Sequence, residues 1–136
     1  MNKLPILLLI LLMISCSNNN ADIKNSILNY KGKWRGNLKM VSSSESENSN
    51  GSLSDNLEVY FIIKEDGTIN DSKEVENIAD NTYKAIIKTN NDDFHNEVII
   101  NFTDDMNADI KITVNDTKSS ALYIYEGNIS KSYSEE

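Results

Sequence analysis

Alternation of apolar and polar residues with a period of two runs through most of this chain and limits its fold more than any other feature. Trp34, Leu38 and Met40 share one face of a segment whose other face carries Arg35, Asn37 and Lys39. Leu57, Val59, Phe61 and Ile63 repeat the pattern, followed by Tyr83, Ala85 and Ile87 and by Phe94, Val98, Ile100 and Phe102. Ala108, Ile110, Ile112 and Val114 continue it, then Ala121, Tyr123 and Tyr125. Successive side chains of a strand point to opposite faces, so each run predicts a strand with one buried face. The links are turn chemistry: Glu65-Asp66-Gly67, whose Gly can take positive φ, then Asn90-Asn91-Asp92-Asp93, Thr103-Asp104-Asp105-Met106 and Asn115-Asp116-Thr117. Short strands at regular spacing predict an all-β domain of about 7–8 antiparallel strands, either a small up-and-down barrel or a sandwich.

Three strands are apolar on both faces: Val59 to Ile63, Val98 to Ile100 and Leu122 to Tyr125. A second apolar face calls for a cover, whether an N-terminal helix, a second sheet or a partner. The only proline is Pro5, so no strand has proline as edge protection. Closure into a barrel removes edges altogether, which favours a barrel over an open sheet. Before the first strand, Ile23, Ile27 and Tyr30 recur at helical spacing behind Asp22, predicting a short amphipathic helix over 22–30 that ends at Gly32. Residues 72–81 fit either a capped helical turn, with Asp71 and Glu74 at capping-box spacing, or an irregular strand. Residues 42–52 contain no apolar side chain and are expected to form a mobile loop between the first two strands.

The N-terminus is a different object. Lys3 precedes an apolar run from Ile6 to Ile14, far short of the about 20 residues that a spanning helix needs, so the run reads as a signal-peptide core. Leu12-Met13-Ile14-Ser15-Cys16 resembles the bacterial lipobox, in which Gly, Ala or Ser precedes a cysteine that is acylated. The resemblance implies a signal peptide over 1–15, cleavage before Cys16 and lipid on its sulfur. It also implies an anchor in the bacterial envelope. Residues 16–21 are then the lipidated cysteine and a polar tether, and 22–136 a single β domain. Each buried CH₂ adds about 0.8 kcal/mol, so several acyl chains anchor durably where one does not. The expected location is therefore the bacterial cell envelope, at the outer membrane or a periplasmic face rather than in the cytoplasm. Ser17 follows the cysteine, not the Asp that in some bacteria retains lipoproteins at the inner membrane, and which membrane is not readable. Cys16 is the only cysteine, so no disulfide staples the domain.

Gly32-Lys33-Trp34, at the start of the first strand and after a short helix, resembles the Gly-any-Trp signature that opens lipocalin barrels. In that family the tryptophan closes the base of the barrel and packs on a basic residue of the last strand. The resemblance assigns that role to Trp34; the only late basic residue is Lys131, a lysine where the family has arginine. A lipocalin-like interior would be lined by Trp34, Leu38, Phe61, Tyr83, Phe94 and Phe102 and could take an apolar small molecule, with the polar loop near its opening. So many large inward side chains in a short chain also suit a filled core, leaving an envelope structural or protein-interaction module as the alternative.

Acidic residues outnumber basic ones by 21 to 13, a net charge of −8 that repels nucleic acid and anionic lipid surfaces. No catalytic constellation is legible: His95 is the only histidine, and no serine sits in a nucleophile elbow. Asp105, Asn107 and Asp109 have calcium-loop spacing, but Ile110 stands where the turn needs Gly and Asp116 where a bidentate Glu belongs. Asp92, Asp93 and His95 lack a further His or Cys for zinc. No enzyme activity, metal or cofactor is expected.

Overall fold

The computed structural model describes residues 26–44, 53–88 and 93–133. The expected signal peptide, Cys16, the tether, the first half of the expected helix, most of the polar loop and the turn residues 90–92 lie outside them. The described chain is all-β, as the alternation predicts. It consists of β1 (Gly32–Ser44), β2 (Asn56–Ile63), β3 (Val75–Ala79), β4 (Thr82–Lys88), β5 (Phe94–Phe102), β6 (Asn107–Asp116) and β7 (Leu122–Ser132). All pair antiparallel in one sheet of order β2-β1-β7-β6-β5-β4-β3. The meander β3 to β7 thus accepts the N-terminal hairpin β1–β2 on its far side, and the sheet curls into a half-barrel.

A crease between β1 and β7 accommodates the curl. Gly36 lies opposite Ile129 and Gly127 opposite Leu38. A Cβ on Gly36 would fall 2.3 Å from the Asn128 carbonyl oxygen, and one on Gly127 would fall 2.9 Å from Leu38 Cδ2. Only a residue without a side chain lets the two backbones approach this closely.

The inward set on β4 to β7 is the one the alternation picks out: Tyr83, Ala85, Val98, Ile100, Phe102, Ala108, Ile110, Ile112, Tyr123 and Tyr125 are all buried. The links use side-chain caps. Asp104 Oδ1 accepts from the Met106 and Asn107 amides at 2.7 and 2.8 Å, and Asp116 Oδ1 from the Lys118 amide at 2.9 Å. These bonds hold both carboxyls below the ordinary carboxylate value, with the Asn107 side chain the largest contributor at Asp104 and Ser119 at Asp116. Gly67 takes the positive φ expected of it, 81°.

Several expectations are corrected. Among the described residues the N-terminal helix is a 3₁₀ turn, Leu28–Tyr30, preceded by helical backbone at Ser26 and Ile27. A segment this short makes one turn against the sheet because it buries only Ile27 and Tyr30. Ser42, Ser43 and Ser44 belong to β1, where pairing with Ile124, Tyr123 and Leu122 of β7 overrides their loop-like composition. Val41, at the register shift beside them, is left 55% exposed. Of residues 72–81, whose sequence fits either a helical turn or an irregular strand, 75–79 form β3.

Closure is partial: β2 and β3 are the two ends of the sheet and do not pair. The link between them bridges part of the gap instead. Ile69 pairs with Ile63 and with Ser72. The Ser72 hydroxyl donates to the Ile86 carbonyl of β4 at 2.6 Å, and the Ile86 amide donates to Glu74 O at 3.2 Å. Asn70, at φ 46°, turns its side chain onto the outer edge of β2. Its Oδ1 accepts from the Ile62 amide at 2.8 Å and its Nδ2 donates to Tyr60 O at 3.2 Å. The apolar outer positions receive no cover from a second layer among the described residues, and Tyr60 and Leu122 remain 44% and 36% exposed.

Candidate functional site

One end of the curl is filled. The 3₁₀ turn lays Tyr30 face to face on Phe102, centroids 3.8 Å apart, and Phe102 meets Trp34 edge to face at 5.1 Å. The Trp34 indole N–H donates to the Tyr30 carbonyl at 2.8 Å. Lys131, opposite Trp34 on β7, holds its Nζ 5.4 Å from the Trp34 ring centroid. The contact is favourable as a cation over an indole face. The Tyr83 hydroxyl donates to Ser26 Oγ at 2.7 Å and the Tyr30 hydroxyl to Asn81 Oδ1 at 2.9 Å, tying turn to sheet. Burial, more than the neighbouring Tyr83 and Asp105, pushes the Tyr30 hydroxyl above its ordinary pKa.

The other end is not filled. A cavity of about 490 Å³ lies between β2 and the wall formed by β4, β5 and β6, along the side where β2 has no strand partner. Its apolar lining comes from Leu57, Val59 and Phe61 of β2, Ile87 of β4, Phe94 and Val98 of β5, and Ile112 and Val114 of β6. Tyr125 also lines it, and its hydroxyl, raised in pKa chiefly by burial, donates to Ser54 O at 2.7 Å. Leu53 and Phe94 at its rim flank the links 45–52 and 89–92.

Of the six residues expected to line an interior, Phe61 and Phe94 line this cavity. Trp34, Tyr83 and Phe102 pack the filled end, and Leu38 is fully buried beside the crease. The expected set therefore divides: half of it is plug and a third of it is wall. Sequence reading missed Asn96, which also lines the cavity. The signal was present, since position 96 shares the inward parity of Phe94, Val98 and Ile100, and a polar residue there breaks the apolar face.

The residues weighed for other chemistry fall elsewhere. Asn107 and Asp109 lie on β6, extended and paired, so the calcium-loop spacing lies on a turn and a strand. Asp109 accepts from the Asn128 side chain across the ladder. His95 sits on β5 between Lys88 and Asn115, on the outward parity. Among the described residues no helix is long and apolar enough to cross a membrane, and no His, Cys, Asp or Glu group gathers to hold a metal ion. No protein-family model, curated protein or solved structure matches the chain.

Proposed function

We propose that this chain is a lipid-anchored bacterial envelope protein, non-catalytic, that holds a small apolar molecule in the groove of its half-barrel. The cavity beside β2 carries the ligand part of the reading: its volume of about 490 Å³ falls within the range of small-molecule pockets, and its walls are mostly aliphatic and aromatic. The Trp34–Lys131 contact and the plugged end support a lipocalin-like arrangement, with a closed base and an open mouth. The anchor rests on the lipobox-like run ending at Cys16.

Two experiments test the two parts. Cys16→Ser should abolish acyl labelling and move the protein out of the detergent phase; a labelled, membrane-held variant refutes the anchor. For the cavity, the full chain in phospholipid nanodiscs should bind decanol saturably above empty discs in calorimetry. Val114→Trp, which fills the cavity, should remove that binding. Absence of saturable binding to the unaltered chain returns the protein to the alternative, an envelope interaction module. That reading is supported by the solidly packed end and by exposed Tyr60, Ile78 and Leu122.

A further inference from the structure

Asn96 is the one inward polar side chain of β5. Its cross-strand partners are Ile87 on β4 and Val114 on β6, and Phe94 and Val98 precede and follow it on the same face. All four line the cavity with it. Within this apolar square its carbonyl Oδ1 exposes less than 1 Å², so it is covered from the cavity as well as from bulk solvent, and no protein group among the described residues donates to it. A buried acceptor without a donor is costly, and folded proteins satisfy nearly all of them. Apolar surroundings make such an acceptor a strong discriminator in favour of whatever supplies the hydrogen.

The rest of the lining restricts the donor's charge. Among the described residues the cavity presents no Lys, Arg or His side chain, and its one ionisable acid is Glu58. With a chain that is also acidic overall, a ligand carboxylate or phosphate would meet repulsion and no counter-charge. From these two observations, and resting on the ligand-binding reading above, we infer that the cavity selects an uncharged apolar molecule bearing a hydroxyl or N–H group, whose hydrogen is donated to Asn96 Oδ1 once the carboxamide rotates toward the cavity. Free fatty acids are thereby excluded as preferred ligands, and long-chain alcohols, acylglycerols or amides are the chemical class that fits.

The test compares decanol with methyl nonyl ether, which has the same chain length and an oxygen but no donor, and with decanoate. The full chain in nanodiscs is titrated with each, empty discs serving as the blank. Decanol should bind about fivefold to tenfold tighter than the ether, the discrimination expected of one neutral hydrogen bond. Decanoate at neutral pH should bind more weakly than either. Asn96→Leu, close in volume and apolar, should erase the decanol preference while leaving ether binding intact, and its melting temperature should equal or exceed that of the unaltered chain. If decanol and ether bind the unaltered chain equally, Asn96 does not meet the ligand and the inference is overturned, although the cavity reading stands. Decanoate binding as tight as decanol overturns the neutral-ligand part. If none of the three binds saturably, the cavity reading itself has failed.

Discussion

Replacing Trp34 tests whether the filled end holds the domain together. Its side chain is fully buried at the point where turn, first strand and last strand meet. Truncating a large aromatic in a core costs about 3–5 kcal/mol. Here the loss includes more than packing: the Tyr30 carbonyl loses its indole donor, Phe102 loses its edge-to-face partner and Lys131 loses the ring beneath it. An orphaned buried carbonyl alone costs about 1–3 kcal/mol, so Trp34→Ala belongs at the upper end, about 5 kcal/mol. Domains have roughly 5–15 kcal/mol in total, so this variant should be largely unfolded or close to it. Trp34→Phe keeps a ring against Phe102 and Lys131 and loses chiefly the N–H, so about 2 kcal/mol is expected. Urea unfolding followed by far-ultraviolet circular dichroism reads both, since the variants have no tryptophan to report by fluorescence. A Trp34→Ala variant within about 1 kcal/mol of the parent, or a Phe variant as costly as Ala, would refute the reasoning.

Gly36→Ala should destabilise by about 1–3 kcal/mol, because the new methyl cannot coexist with the Asn128 carbonyl without moving one strand; a gain in urea midpoint would mean that the crease is loose. Stability should also fall at both ends of the pH scale. Asp104 and Asp116 sit below the ordinary carboxylate value of 3.8, so their contribution is present above that value and is lost as pH falls through their lowered ones. Asp104→Asn with Asp116→Asn should flatten this acid limb of a melting-temperature profile. Tyr30 and Tyr125 sit above the ordinary tyrosine value of 10.0, so their contribution is complete below it and lost as pH rises through their raised values. Loss of folded signal should accompany the tyrosinate absorbance.

The strands and their buried faces were legible because alternation is a local record of which side meets the core. It assigns Tyr83, Val98, Ile110 and Tyr125 inward without reference to any other strand. Features that depend on distant partners were not legible in this way. Ser42 to Ser44 look like a loop until β7 is known to run beside them. In β3, Glu76 and Asn77 give no alternation because an edge strand with four exposed residues out of five has little face to bury. Incomplete closure was hidden for the same reason, since whether β2 meets β3 or β4 depends on the path of residues 64–74. The candidate site was half visible: alternation puts Phe61 and Phe94 inward, whereas Asn96, polar on the same parity, carries no local mark of what it faces.

The position of Asn70 on the rim of β2 has a consequence for how these molecules behave in a crowd. An unpaired strand rim is a template on which another polypeptide can be laid, and at high concentration such additions propagate into aggregates. By occupying Ile62 N and Tyr60 O with its own amide, Asn70 imitates one residue of a neighbouring strand and ends the ladder there. A foreign strand would have to expel this carboxamide before it could dock. A single left-handed asparagine thus blocks one position of the unpaired rim of β2 without closing the barrel.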